Sequence, residues 1–122
     1  MQVVVIEPRK KPMVQDIDAG LESMQKIVGG PIEAVYPFDE PVALIANEEG
    51  KLLNLPLNRA LRDDEGTVYD IISGTFFLCA ALPDSDRFAG LTDQQVKMYM
   101  KRFSMPEMFL SVGGDLFVLP YL

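Results

Sequence analysis

A polar run at residues 46–59 separates two apolar stretches, 42–45 and 69–81, each with the composition of a strand. This arrangement constrains the fold more than any other feature. Short apolar runs bounded by turn residues pack as strands, so the link between them must leave an apolar layer and return to it. A connection of this kind needs polar residues, and Glu48-Glu49-Gly50 supplies a turn signal. Asn47, Asn58 and Arg59 go further, offering directional hydrogen bonding that a solvated loop does not require.

Around this segment the chain divides into short elements. Val3-Val4-Val5-Ile6 is β-branched and continuous, which predicts a buried strand over 2–6, and 13–17 is able to pair back as a second. Asp18 is placed to cap a helix over 19–28, with Leu21, Met24, Ile27 and Val28 on one face and Gly29 at the left-handed stop before Pro31. Strands are expected at 32–36 and 42–46, a short return strand at 51–55, and one helical turn at 56–61 opened by Pro56. Residues 70–81 form the longest β-like run, interrupted at Ser73-Gly74, where an isolated glycine marks a bulge or a close backbone approach. In Phe76-Phe77 the rings point to opposite faces, one to the core and the other to a pocket or interface. Thr92-Asp93-Gln94-Gln95 is a capping box with Leu91 and Val96 as its hydrophobic staple. It predicts a helix over 92–103 that buries Val96, Tyr99, Met100 and Phe103. The apolar tail, 105–122, carries a strand at 116–119 after the Gly113-Gly114 turn, and this strand either completes the sheet or meets a second copy of the chain. The expected fold is α+β: a single small domain over 1–122, with a mixed or mainly antiparallel sheet and two main helices packed on one face of it.

Composition narrows the chemistry. The chain has no histidine and one cysteine, which removes the commonest general base and every zinc site built from cysteine and histidine. Cys79 lies in an apolar run and reads as a small buried hydrophobe. Neither Gly29-Gly30 nor Gly113-Gly114 belongs to a phosphate loop. The paired acids, such as Asp63-Asp64-Glu65 and Asp84/Asp86, lack the spacing of a calcium loop. Eleven basic against 18 acidic residues give a net charge of −7, unfavourable for direct contact with nucleic acid or an anionic membrane. No leader is expected, because charged residues 7–11 follow only five apolar-leaning ones, and no run is long enough to span a bilayer. A lone cysteine suits a reducing cytoplasm.

The 46–59 run, the opening Val3-Val4-Val5-Ile6-Glu7-Pro8, the Val28-Gly29-Gly30 stop and Gly74-Thr75-Phe76-Phe77 together resemble a family of small domains of unknown function. Those domains occur in phages and conjugative elements of gut Firmicutes, and the resemblance covers about residues 1–103. It implies a genomic setting and a bacterial cytoplasm, and no reaction. Together with the missing catalytic residues, it favours a non-enzymatic accessory protein that counteracts host defence. Such a protein would sequester a small anionic, nucleotide-type ligand or block an immune protein, and no cofactor is expected. The candidate ligand-binding residues are Asn47, Asn58, Arg59, Gly74 and Thr75: the asparagines to read a base or sugar edge, Arg59 to fork onto a phosphate, and Gly74 to admit the ligand to the backbone. Two alternatives stand beside this reading. One is an acidic nucleic-acid mimic acting on a host DNA-binding protein, though its acids are scattered among loops. The other is a metal-dependent hydrolase built from carboxylates.

Overall fold

The computed structural model describes Met1–Leu122 and contains two helices and nine strands, every strand pairing being antiparallel. A five-stranded sheet has the order β2 (Met13–Asp16), β1 (Gln2–Ile6), β7 (Phe76–Ala80), β4 (Val42–Asn47), β3 (Ile32–Val35). Two hairpins stand outside it, β5 (Leu57–Arg62) with β6 (Val68–Ser73) and β8 (Glu107–Val112) with β9 (Asp115–Pro120). The helices are α1 (Leu21–Val28) and α2 (Asp93–Arg102). The fold is α+β, as the element pattern predicts.

The central strands are apolar at successive positions because both sheet faces are covered. Side chains alternate across a strand. Val3, Val5, Ala43, Ile45, Phe77 and Cys79 therefore face α1 with Met24 and Val28. Val4, Ile6, Leu44, Phe76 and Leu78 face the other way, toward Tyr99 and Phe103 of the α2 region and Leu61 and Ile72 of the β5–β6 hairpin. The expectation of both helices on one face is corrected here. One helix suffices on the second face because the hairpin helps to cover it. Phe76 and Phe77 do point to opposite faces, but both rings are fully buried in core, so neither lines a pocket. Phe76 meets Phe103 edge-on at 5.8 Å, a favoured aromatic geometry.

The helix ends show why local signals are legible. Thr92 Oγ1 accepts from Gln95 N at 3.1 Å, and Gln95 Oε1 accepts from Thr92 N at 2.9 Å, which completes the capping box. Gly29 closes α1 in the left-handed region at φ 82°, its N–H donating to Gln25 O. At the other end α1 begins at Leu21 with Gly20 as N-cap and no side-chain cap, so Asp18 lies too early to serve.

Three further expectations are corrected. Residues 51–54 form turns, and no return strand forms over 51–55. Residues 56–61 enter strand β5 instead of a helical turn, because the backbone of Leu57–Arg62 pairs with β6. The run 70–81 is two strands in two sheets, separated at Gly74, whose φ is 82° and where a Cβ would stand 2.8 Å from Leu55 Cδ1. Strand 116–119 does not complete the main sheet. It lies within β9, which pairs with β8 across a Gly113-Gly114 turn at φ 58° and 87°. No helix is long and apolar enough to cross a membrane.

Candidate functional site

Of the five residues singled out in the sequence, three join through direct hydrogen bonds. Asn58 is fully buried, and its Nδ2 donates to Ile6 O and Gly74 O, both at 2.8 Å. Its Oδ1 accepts from Arg59 Nη1 at 3.0 Å. Asn58 thus fastens β5 to the end of β1 and to the turn between β6 and β7. Arg59 is also buried, at 1 % exposure. Its Nη2 donates to Lys10 O at 2.7 Å and Phe103 O at 3.1 Å, and Nη1 reaches Asn58 O at 3.3 Å. Three distant segments are held by this one guanidinium: the β1–β2 turn, strand β5 and the C-terminus of α2. Glu48 and Glu49 make no ion pair with it.

Asn47 and Thr75 stand outside this bonded group. Asn47 Nδ2 donates to Val28 O at 3.1 Å, taking up a carbonyl at the C-terminus of α1, and its Oδ1 accepts from Glu49 N at 2.8 Å. Thr75 is half-buried in the β6–β7 connection. Asn47 spends its hydrogen-bonding capacity on the backbone, and Asn58 divides its own between two carbonyls and Arg59.

Arg59 also borders a cavity of about 280 Å³, which it shares with Arg62, Tyr69, Arg102, Phe103 and Glu107. In a regular strand, residues 59 and 62 would point to opposite faces. The cavity nevertheless takes both arginines because it runs along β5 and is lined by Arg59, Ala60, Leu61 and Arg62 in succession, and the register irregularity opposite Leu61 and Arg62 makes Tyr69 the unpaired residue of β6. Arg102 comes from the last turn of α2 and lies over the Phe38 ring at 4.8 Å, a cation–π contact. Glu107, at the start of β8, braces the wall: Oε1 accepts from Ala60 N at 2.8 Å and Oε2 pairs with Arg62 Nη2 at 2.7 Å.

Three guanidinium groups against one carboxylate leave the cavity lining at +2 in a chain of −7. Burial pushes the Arg59 pKa down and the field of Glu107 opposes that shift. A guanidinium remains charged in proteins. An adjoining hollow shares Arg62, Tyr69 and Arg102 and adds Asp39, Asp63 and Asp64. Of the five N–H donors of Arg59, those on Nη1 and Nη2 are engaged, while Nε is buried and has no partner.

No three His, Cys, Asp or Glu side chains converge in a metal-binding arrangement. Burial pushes the Cys79 thiol up to about 12, which leaves it without thiolate character at neutral pH. Sequence reasoning reaches Arg59 and misses Arg62, Arg102 and Glu107, because only the fold brings these positions together.

Residues 1–104 match the family described as Domain of unknown function (DUF3846), and the chain belongs to that family. No curated protein and no solved structure matches it.

Proposed function

We propose that this DUF3846 domain is a non-enzymatic binding module that holds a small anionic ligand in the cavity at Arg59, Arg62 and Arg102. One observation carries the reading: a buried guanidinium bordering a +2 cavity keeps one donor, Nε, without a protein partner. An unmet buried donor costs about 1–3 kcal/mol, and an acceptor oxygen that reached Nε, itself closed to solvent, would relieve that cost. The other donors of Arg59 preset its orientation, so little side-chain entropy remains to be lost on binding.

The volume, about 280 Å³, falls just below the usual ~300–1,000 Å³ of small-molecule sites. It suits a phosphate or carboxylate group, or the phosphate end of a mononucleotide, with the half-exposed Tyr69 ring at the rim to stack on a base. In the setting suggested by the family resemblance, a phage or conjugative element in a bacterial cytoplasm, the module would act by capturing a host nucleotide-type signal. The carboxylate hydrolase reading lacks a converging ligand set. The nucleic-acid mimic has no stripe of acids behind it in the sequence.

A thermal-shift screen with inorganic phosphate, mononucleotides and cyclic nucleotides tests the proposal. A ligand at 100 times its Kd adds about 2.7 kcal/mol to stability. Arg102→Ala, on the exposed side of the cavity, is expected to keep the fold and lose the shift. If no anion raises Tm at millimolar concentration, or if the variant responds like the parent chain, the cavity is not a binding site.

A further inference from the structure

Hydrogen bonds tie the β8–β9 hairpin to the rest of the chain through a single residue. Both bonds between it and residues 1–103 end on the Glu107 carboxylate, where Oε1 accepts from Ala60 N and Oε2 from Arg62 Nη2. The nearby Tyr121 N–H donates to Pro106 O and closes the hairpin on itself. No residue beyond Phe103 belongs to either core cluster. A hollow of about 360 Å³ opens between Arg9, Pro56 and Leu57 on one side and Met108, Phe109 and Tyr121 on the other. The Glu107 carboxylate also stands where the proposed ligand would. It is the one anion among the three guanidinium groups of the cavity, and a guanidinium N–H and a backbone N–H are the donors a phosphate oxygen takes. Its pair is weakly held, because Arg62 is 41 % exposed and ion pairs open to solvent contribute little. Arg59 Nε, in contrast, is closed to solvent and has no partner, so a ligand oxygen reaches it only after part of the wall moves. Met105 and Glu107 bring to that wall a segment that neither core anchors.

We infer, resting on the anion-binding reading above, that Glu107 is a tethered competitor for the ligand. An incoming oxyanion takes over Arg62 Nη2 and Ala60 N, Glu107 withdraws, and the β8–β9 hairpin swings away on the link at 104–106. Ligand binding and hairpin release are then one equilibrium. A phosphate group brings about −1.5 to −2 charges near neutral pH to the arginines, against the single charge of Glu107. While Glu107 is seated, only a fraction of the molecules accepts a ligand, and the apparent affinity is reduced by that fraction.

Titration of the full chain with inorganic phosphate, followed by thermal shift and by NMR relaxation of the backbone amides, tests this coupling. Bound phosphate is expected to bring the β8–β9 backbone into the flexible range, with order parameters below about 0.6, while β1, β4 and β7 stay rigid. Glu107→Gln keeps an acceptor for Ala60 N and loses the charge that pairs with Arg62. It is expected to bind phosphate about tenfold more tightly and to show a mobile hairpin before any phosphate is added. A hairpin that stays rigid in the phosphate complex of the parent chain overturns the inference, even if the variant binds more tightly, since removing a nearby negative charge would do that alone. A variant that binds no more tightly also overturns it. In both cases the anion site itself stands. Phosphate that binds neither protein at millimolar concentration removes the site and its competitor together.

Discussion

Replacing Asn58 by alanine tests the central claim about how β5 is attached to the sheet. The side chain is fully buried and makes three hydrogen bonds, donating to Ile6 O and Gly74 O at 2.8 Å and accepting from Arg59 at 3.0 Å. Truncation strands two buried carbonyls. Each unsatisfied group costs about 1–3 kcal/mol, while the Arg59 donor keeps a second acceptor in Asn58 O. A small cavity adds to the loss, so the expected destabilisation is about 3–5 kcal/mol, a large fraction of the ~5–15 kcal/mol that holds a domain together. Asn47→Ala is the internal control. It removes one bond to a helix-end carbonyl and one to a half-exposed turn amide, and is expected to cost only about 1–2 kcal/mol. Urea denaturation followed by circular dichroism measures both. If Asn58→Ala lies within about 1 kcal/mol of the parent with an unchanged m-value, or if Asn47→Ala costs more, then β5 is not held in the way described.

Two further outcomes follow from the helix cap and from buried protons. Thr92→Ala removes the acceptor for Gln95 N and is expected to cost about 1 kcal/mol, read as a lower denaturation midpoint; an unchanged midpoint would mean the capping box contributes nothing. Stability is also expected to fall in alkali. Burial raises the Cys79 thiol from 9.0 to about 12, and burial together with the bond from Tyr99 Oη to Glu40 Oε1 raises the Tyr99 hydroxyl above its ordinary 10.0. The unfolded chain therefore loses protons that the folded chain keeps. These contributions are complete below pH 9 and decline as pH rises past it. The midpoint should drop between about pH 9 and 11, less steeply in Tyr99→Phe, and a flat profile over that range would contradict the assignment.

What the sequence discloses follows the distance over which each interaction acts. The cap of α2 is a four-residue pattern, and it was readable because Thr92 and Gln95 satisfy each other. Gly29 is equally local. Residues 56–61 mislead because Pro56 is a good helix starter, while the pairing that makes Leu57–Arg62 a strand comes from β6. Gly74 signals an irregularity, but only the fold shows that it ends one sheet and begins another. Asn58 and Arg59 stand out for their polarity among apolar neighbours. Their partners, Ile6, Lys10 and Phe103, lie 44 to 52 residues away in the chain and are backbone carbonyls, which no side-chain pattern encodes. The cavity is least legible of all, since β5, β6, α2 and β8 each contribute to its lining.

Glu107 gives that cavity an unusual provenance. It is the only carboxylate in the lining, it neutralises Arg62 at 2.7 Å, and it lies three residues beyond the 1–104 family match. The valence of the site is therefore set partly by a segment appended to the shared domain. With a neutral residue in its place, the same arginines would present +3 rather than +2. The charge of a cavity walled largely by the family's domain is thus tuned by a residue outside the family match.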